Sequence, residues 1–284
     1  MVFTVSNYKG GVAKTTTAAT LGAALAERFV ADDYGNVLLI DTDPQGHLTN
    51  ALGVDAGDRC LSNVLRGPGD MKTLQDNVVA ANSAVAERNR PGLWLLPCTY
   101  ELKSVVDGLL ADIGARVMQA VIAGKSADGI GLTYLFEEKL GIARNYFRAI
   151  IIDTQPTMGS LQQAIHEFAD KAIVPFQPAY LDAVGTGQHT NGILADQEDG
   201  RGITIFRLLP TRVRARTNLA REMILHVRKA YGNVALARAI PETIRVSEGP
   251  SFGLTIIEHE PESLAAQAYN HLADAMYQEV RRGQ

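Results

Sequence analysis

Eight residues near the N-terminus, Lys9-Gly10-Gly11-Val12-Ala13-Lys14-Thr15-Thr16, restrict what this chain can become more than any other stretch. They follow the apolar run Val2-Phe3-Thr4-Val5, which predicts a short buried strand, and open onto residues 17–28, whose alanine and leucine content predicts a helix. Strand, glycine-rich turn, then helix with Lys-Thr in its first turn is the order a phosphate-binding loop requires. Glycine lets the backbone curl until several N–H groups face inward, where phosphate oxygens can accept from them. The helix N-terminus adds partial positive charge, Lys14 adds a full one, and the Thr15 hydroxyl can ligate Mg²⁺. A plain Gly-Gly turn that happens to precede a lysine is the simpler alternative, but it leaves the strand–helix context unexplained.

Two further apolar runs end in acid. Residues 36–40 lead into Asp41-Thr42-Asp43-Pro44-Gln45-Gly46, and Arg148-Ala149-Ile150-Ile151-Ile152 leads into Asp153. Near-continuous apolar strands predict a mostly parallel, twisted sheet covered by helices on both faces. Carboxylates just beyond such strands lie where open α/β sheets bind their ligands. Asp41-Thr42-Asp43-Pro44 alone could be an ordinary Asp-Pro turn. Asp153 closes a β-branched run in the manner of a Walker B strand, whose carboxylate holds the magnesium shell, and Asp41 is expected in the outer shell of the same ion. The stretch Thr154-Gln155-Pro156-Thr157-Met158-Gly159 is then expected to face the terminal phosphate.

Further strands are predicted at residues 92–97, 171–175 and 204–210. Helices are predicted at 58–65, 100–121, 131–140, from about 181, from Arg214 and over 261–282. Trp94 reads as a packing residue. No repeat or low-complexity linker interrupts residues 1–284, so one domain is expected, long enough for a sizeable core. With 46% hydrophobic and 20% charged residues the composition is that of a globular protein, which argues against global disorder. Cys60 and Cys98 stand too far apart for a C-x-x-C metal or redox pair, and a reduced cytoplasmic setting is expected. No stretch approaches the roughly 18 apolar residues of a membrane span, and the N-terminus reads as a core strand rather than a leader. The final helix lacks the basic, bulky-apolar character of a membrane-surface anchor, so stable membrane association is not expected. Net charge is −4, but residues 201–250 carry ten Arg and Lys against three acids. Such asymmetry suits a localised anion-binding face, although a solvated helix face is the plainer reading.

The form K-G-G-x-x-K-T-T resembles the deviant Walker A loop of the ParA/MinD group of ATPases, with Lys9 in the place of its signature lysine. D-x-D-P-Q-G resembles the second ATPase motif of ParA-type proteins. The stretch from Ile240 to Gly253 resembles the ParA/Soj pattern I-P-R-x-x-R-[LV]-S-E-A-P-S-x-G. Together with the Walker B strand these are four motifs in family order, from about residue 2 to about 275. The chain departs from the pattern at Tyr8 and Ala13, where the ordinary loop has glycine. It also has Gln155 where relatives usually have a second proline, and Glu242 where they often have arginine. Ala13 requires either a negative φ or about 1–2 kcal/mol of strain.

The resemblance implies a single-domain P-loop NTPase that hydrolyses ATP with Mg²⁺, weakly alone and faster with a ParB-like adaptor. It implies an ATP-bound homodimer in which Lys9 reaches the partner's nucleotide, with Lys14 and Asp43 completing the catalytic set. Nucleotide contacts are implied for Lys9, Gly10, Gly11, Val12, Ala13, Lys14, Thr15, Thr16 and Pro210, and metal contacts for Thr15, Asp41 and Asp153. Non-specific DNA would lie against Arg214, Arg216, Arg221 and Arg245, with the dimer on the nucleoid segregating plasmid or chromosomal DNA. Alternatives within the same fold are a ParA-like ATPase that positions a protein cargo, a MinD-like membrane-associated ATPase, an iron–sulfur scaffold or electron donor, and an amide-forming ligase. The cysteine pattern and the last helix argue against the membrane and iron–sulfur readings. No helix-turn-helix precedes the loop, so operator binding is not expected.

Overall fold

The computed structural model describes residues 1–127, 130–156, 159–178, 187–195, 203–214, 218–232 and 236–283. The strands are β1 (Val2–Val5), β2 (Val37–Asp41), β3 (Val79–Ala80), β4 (Leu93–Leu96), β5 (Ala149–Asp153), β6 (Lys171–Phe176) and β7 (Thr204–Pro210). They form one sheet in the order β3-β4-β2-β5-β1-β6-β7, antiparallel at β3–β4 and parallel elsewhere. Every residue of β1, β2 and β5 is buried, as their unbroken apolar runs require. Alternate residues feed two cores: Phe3, Leu39 and Ile151 face one side, Val2, Leu38 and Ile150 the other.

The first core is closed by α1 (Lys14–Ala31), α2 (His47–Leu52) and the last helix. Gly22 lets α1 sit directly on β2, because a Cβ there would come within 2.7 Å of Leu39. On the other side lie α3 (Leu61–Arg66), α4 (Met71–Asn77), α5 (Leu102–Ile122), α6 (Leu132–Leu140), α7 (Ser160–Phe168), α8 (described over 187–195) and α9 (Asn218–Ala230). The chain ends with α10 (Ile244–Glu248), α11 (Ile256–His259) and α12 (Leu264–Arg282), and α12 is joined to α1 by a hydrogen bond between the Tyr269 and Thr17 hydroxyls, 3.1 Å apart.

Several boundaries differ from the sequence expectation. Helix α3 starts at Leu61, because Cys60 is extended and Asp58 lies in a turn. Helix α12 starts at Leu264, where Ser263 caps it by accepting from the Ala266 N–H at 3.1 Å. Arg214 is not helical and α9 begins at Asn218, with 215–217 outside the described residues. The helix expected from 181 is described only from 187. Trp94 is 37% exposed and lines a surface cavity together with Leu74, Val78 and Phe147. Periodicity did not reveal the buried ion pair of Arg90 and Glu258, joined at 2.8 and 2.9 Å. Arg90 also donates to the carbonyls of Leu52, Ala81 and Gly253, tying the β3–β4 end of the sheet to the C-terminal segment.

Candidate nucleotide site

Parallel register brings three strand ends to one point. Val5 stands opposite Asp153, and Asp153 stands opposite Asp41. Hydroxyls lace these ends together: Thr154 donates to the Val5 carbonyl (3.0 Å) and Thr42 to the Asp153 carbonyl (2.6 Å). The loop leaving β1 is anchored by Asn7, whose amide donates to the Pro175 carbonyl at 2.8 Å and accepts from the Lys9 N–H at 3.0 Å.

Lys14 is buried and its Nζ donates to the Lys9 carbonyl at 2.8 Å, so the loop closes around its own cation. Burial lowers the Lys14 pKa, while Asp153 and Asp43 work in the opposite direction. The Lys9 side chain is exposed. Ala13 takes the strained alternative, φ 65° and ψ 36°, at about 1–2 kcal/mol for a residue with a Cβ. It is the N-cap of α1, supplies no side-chain hydrogen bond, and no acid stands in the first turn. The first-turn N–H groups thus have no side-chain cap, as a helix that receives an anion requires. A cavity of about 260 Å³ lies against Gly10, Gly11, Lys14, Thr15 and Thr16, and is bounded by Asp43, His47, Thr154 and Pro156.

The three acids have unequal surroundings. Asp41 has donors on both oxygens: Oδ1 accepts from the Asp43 N–H (3.0 Å), and Oδ2 from the Thr49 N–H and hydroxyl (both 3.2 Å). Burial pushes its pKa up to about 6 against the pull of those bonds. Both carboxylate oxygens of Asp153 are buried without a formed hydrogen bond among the described residues. Burial, then the charge of Asp41, raises its pKa well above the ordinary carboxylate value, while the Thr15 hydroxyl and Lys14 pull it down. Asp43 is more open, with Oδ1 accepting from the Gln45 N–H (2.9 Å) and Oδ2 beside His47 Nδ1 (2.8 Å). An orphaned buried carboxylate beside a Thr hydroxyl and a lysine, under an uncapped helix, fits a magnesium nucleotide: its cation would meet the Asp153 charge and its phosphates the loop N–H groups.

Pro210 does not line this cavity or its neighbour; it is buried at the end of β7, paired with Phe176, and its carbonyl accepts from the Ile240 N–H. The next two residues reach the loop instead. Thr211 donates to the Val12 carbonyl (3.1 Å) and Arg212 to the Gly11 carbonyl (3.3 Å). Arg212, Glu242, Thr243 and Ser247 border a second cavity, of about 560 Å³, against Gly11, Ala13 and Thr16. Two of the expected DNA arginines are engaged by acids. Arg214 pairs with Glu242, the residue standing where relatives often carry arginine, and Arg245 with Glu248 (3.4 Å) and Glu260 (3.6 Å). Arg221 is exposed on α9, near exposed Arg228 and Lys229, while Arg216 lies outside the described residues. His47, Thr211 and Arg212 escaped the sequence reading; only the four-residue step from Asp43 to His47 could have drawn notice.

Sheet order, loop and strand-end acids define the chain as an α/β nucleotide-binding protein of the phosphate-binding-loop class. Residues 1–199 match the AAA domain family. The sporulation initiation inhibitor protein Soj of Bacillus subtilis is 30% identical over 96% of this chain and 96% of its own length. The chromosome-partitioning ATPase Soj of Thermus thermophilus is 30% identical over 98% of this chain and 95% of its own. A crystal structure from Mycobacterium smegmatis, described as cobyrinic acid a,c-diamide synthase with bound ADP and magnesium, is similar with TM-score 0.71 and 30% identity, covering 100% of this chain and 96% of that one. The chain belongs to the ParA/Soj family of partitioning ATPases. Among the described residues no helix is long and apolar enough to cross a membrane.

Proposed function

We propose that this protein is an ATP-driven dimerising switch that binds DNA without sequence preference and positions a DNA cargo. One observation carries the reading: the loop closes on a buried Lys14 while a second lysine, Lys9, stands exposed on its rim. One cation serves the chain's own phosphates, and the exposed one reaches a nucleotide held by a second copy. ATP supplies the phosphoanhydride, and Mg²⁺ neutralises its charge. Lys14, Thr16 and the loop N–H groups bind the phosphates, Thr15 and Asp153 hold the metal side, and Asp43 orients water. Asp41, bonded to Asp43 and Thr49, acts from behind by fixing the turn that carries Asp43.

DNA contacts fall to the exposed Arg221, and to Arg214 and Arg245 once phosphate replaces their acidic partners. Each phosphate neutralised steepens the salt dependence, so two or three contacts hold poorly and a dimer's doubled set holds well. A ParB-like adaptor would accelerate hydrolysis and release the dimer from the nucleoid. The test compares wild type with Lys9→Ala by light scattering and duplex retention with ATP. Wild type should dimerise and retain DNA, whereas Lys9→Ala should bind ATP yet stay monomeric and retain none. Normal dimerisation of Lys9→Ala would sink the proposal.

The 30% identity to the Mycobacterium smegmatis protein favours a second reading, an ATP-dependent amide-forming ligase. That reading requires phosphate release to depend on a carboxylate and an amine donor rather than on dimerisation, which a turnover assay with and without such substrates distinguishes.

A further inference from the structure

The loop fixes Asp43 at one end only. Oδ1 accepts the Gln45 N–H at 2.9 Å and the Asp43 carbonyl accepts the Gly46 N–H at 2.8 Å, a turn that sets the backbone but lets the carboxylate pivot about one contact. The second oxygen is held from outside the D-x-D-P-Q-G stretch, by His47 Nδ1 at 2.8 Å. His47 is the first residue of α2, whose Leu48 and Leu52 are buried in the core, so its backbone is firmly seated. The imidazole itself is 63% exposed and the Asp43 side chain 15%. The ring contributes little to packing and borders the same cavity as the phosphate-binding loop.

We infer that His47 is the positioning residue of Asp43, and that the water-orienting unit is the pair rather than the aspartate alone. The inference rests on the assignment of Asp43 to water orientation in the proposed function. A carboxylate offers about four acceptor directions, two on each oxygen. Gln45 N–H takes one on Oδ1 and His47 Nδ1–H one on Oδ2, which defines the carboxylate plane and leaves acceptor directions on both oxygens for water. With His47 gone the plane swings, and a displacement of about 1 Å in a positioned group costs on the order of 10²-fold in rate. The bond is the imidazole's task at Cγ, where the amide nitrogen of asparagine is also attached. Asparagine can therefore replace histidine here, while glutamine carries its nitrogen one bond further out.

The experiment measures turnover at saturating Mg²⁺-ATP, affinity for a fluorescent ATP analogue and thermal midpoint for His47→Ala, His47→Asn, His47→Gln, Asp43→Ala and the double variant Asp43→Ala/His47→Ala. His47→Ala should lose about 10- to 100-fold in kcat, with affinity and midpoint unchanged. His47→Asn should recover most of the rate, His47→Gln should not, and the double variant should be no slower than Asp43→Ala. Wild-type turnover in His47→Ala beside an inactive Asp43→Ala overturns the inference alone. So does equal loss in the Asn and Gln variants, or a midpoint several degrees lower in His47→Ala. Wild-type turnover in Asp43→Ala overturns the assignment of Asp43 itself, and this inference with it.

Discussion

Asp153→Asn should stabilise the nucleotide-free protein while disabling it. Asp153 is fully buried, its carboxylate oxygens carry no formed hydrogen bond, and Asp41 lies opposite in the sheet. Burial first, and Asp41 second, raise its pKa in the folded chain above the ordinary value of 3.8. An acid whose folded pKa is raised binds its proton more tightly in the native state. Stability therefore falls as pH climbs from the unfolded pKa towards the folded one. Each pH unit in that window costs about 1.4 kcal/mol, and neutral pH lies roughly three units above the unfolded value, so the cost at pH 7 has a ceiling of about 4 kcal/mol. Attraction to Lys14 returns part of it.

Asparagine has the shape of the protonated acid and no charge, so the substitution should recover the part of that cost which Lys14 does not return at pH 7.5. For a chain of this size each kcal/mol recovered raises the thermal midpoint by roughly 2–4 °C. Below about pH 3, where the acid is protonated in both states, the gain should vanish. Thermal unfolding in EDTA at the two pH values reads this directly. A second arm adds Mg²⁺-ATP, which should raise the wild-type midpoint and move Asp153→Asn far less. An unchanged midpoint at pH 7.5, or the same rise at both pH values, would refute the claim that the site stores the cost of a buried, unpaired charge.

Two further outcomes follow from the fold. Ala13→Gly removes about 1–2 kcal/mol of left-handed strain against roughly 0.4–1 kcal/mol of added chain entropy in the unfolded state, so a small net gain in denaturant stability with ATP binding retained is expected. Arg90→Met removes the buried half of the Glu258 pairing and three carbonyl contacts while Arg88 (2.9 Å) and Thr255 still hold the carboxylate, and should cost about 2–3 kcal/mol by urea unfolding. Burial alone would raise the Glu258 pKa; Arg90 and Thr255 outweigh it and leave it lowered, so in the wild type this pair's stabilisation is present above the unfolded pKa and lost as pH falls through the folded one.

What could be read from the sequence, and what could not, divides by physical cause. The strand ends and the loop were legible because their chemistry is local: an apolar run, a glycine turn, then Lys14-Thr15 in the first turn of α1. Sheet position followed, because parallel strands that end in acids deliver those acids to one edge. The short α4 and β3 were not legible, since a two-residue strand has no period to detect. Nor was the state of Ala13, because residue type left both a relaxed and a strained backbone open. The pairing inside the basic stretch was not legible from its sum. Glu242 and Glu248 are few, but they sit on Arg214 and Arg245, and the first of these pairs spans 28 residues of sequence.

The two strand-end aspartates make the sharpest case. Asp41 and Asp153 close similar apolar runs and face each other in register, so pattern alone cannot rank them. Their difference comes from what the chain does next. After Asp41 the Asp43 N–H comes back to Oδ1, and the chain turns at Gly46 into α2 and returns the Thr49 N–H and hydroxyl to Oδ2. After Asp153 the chain returns no donor that completes a hydrogen bond among the described residues, and its burial is costly even with the Thr15 hydroxyl and Lys14 nearby. A cation gains most where the protein has withheld its own donors, which is why the proposed metal role goes to Asp153, the acid the fold leaves unsatisfied.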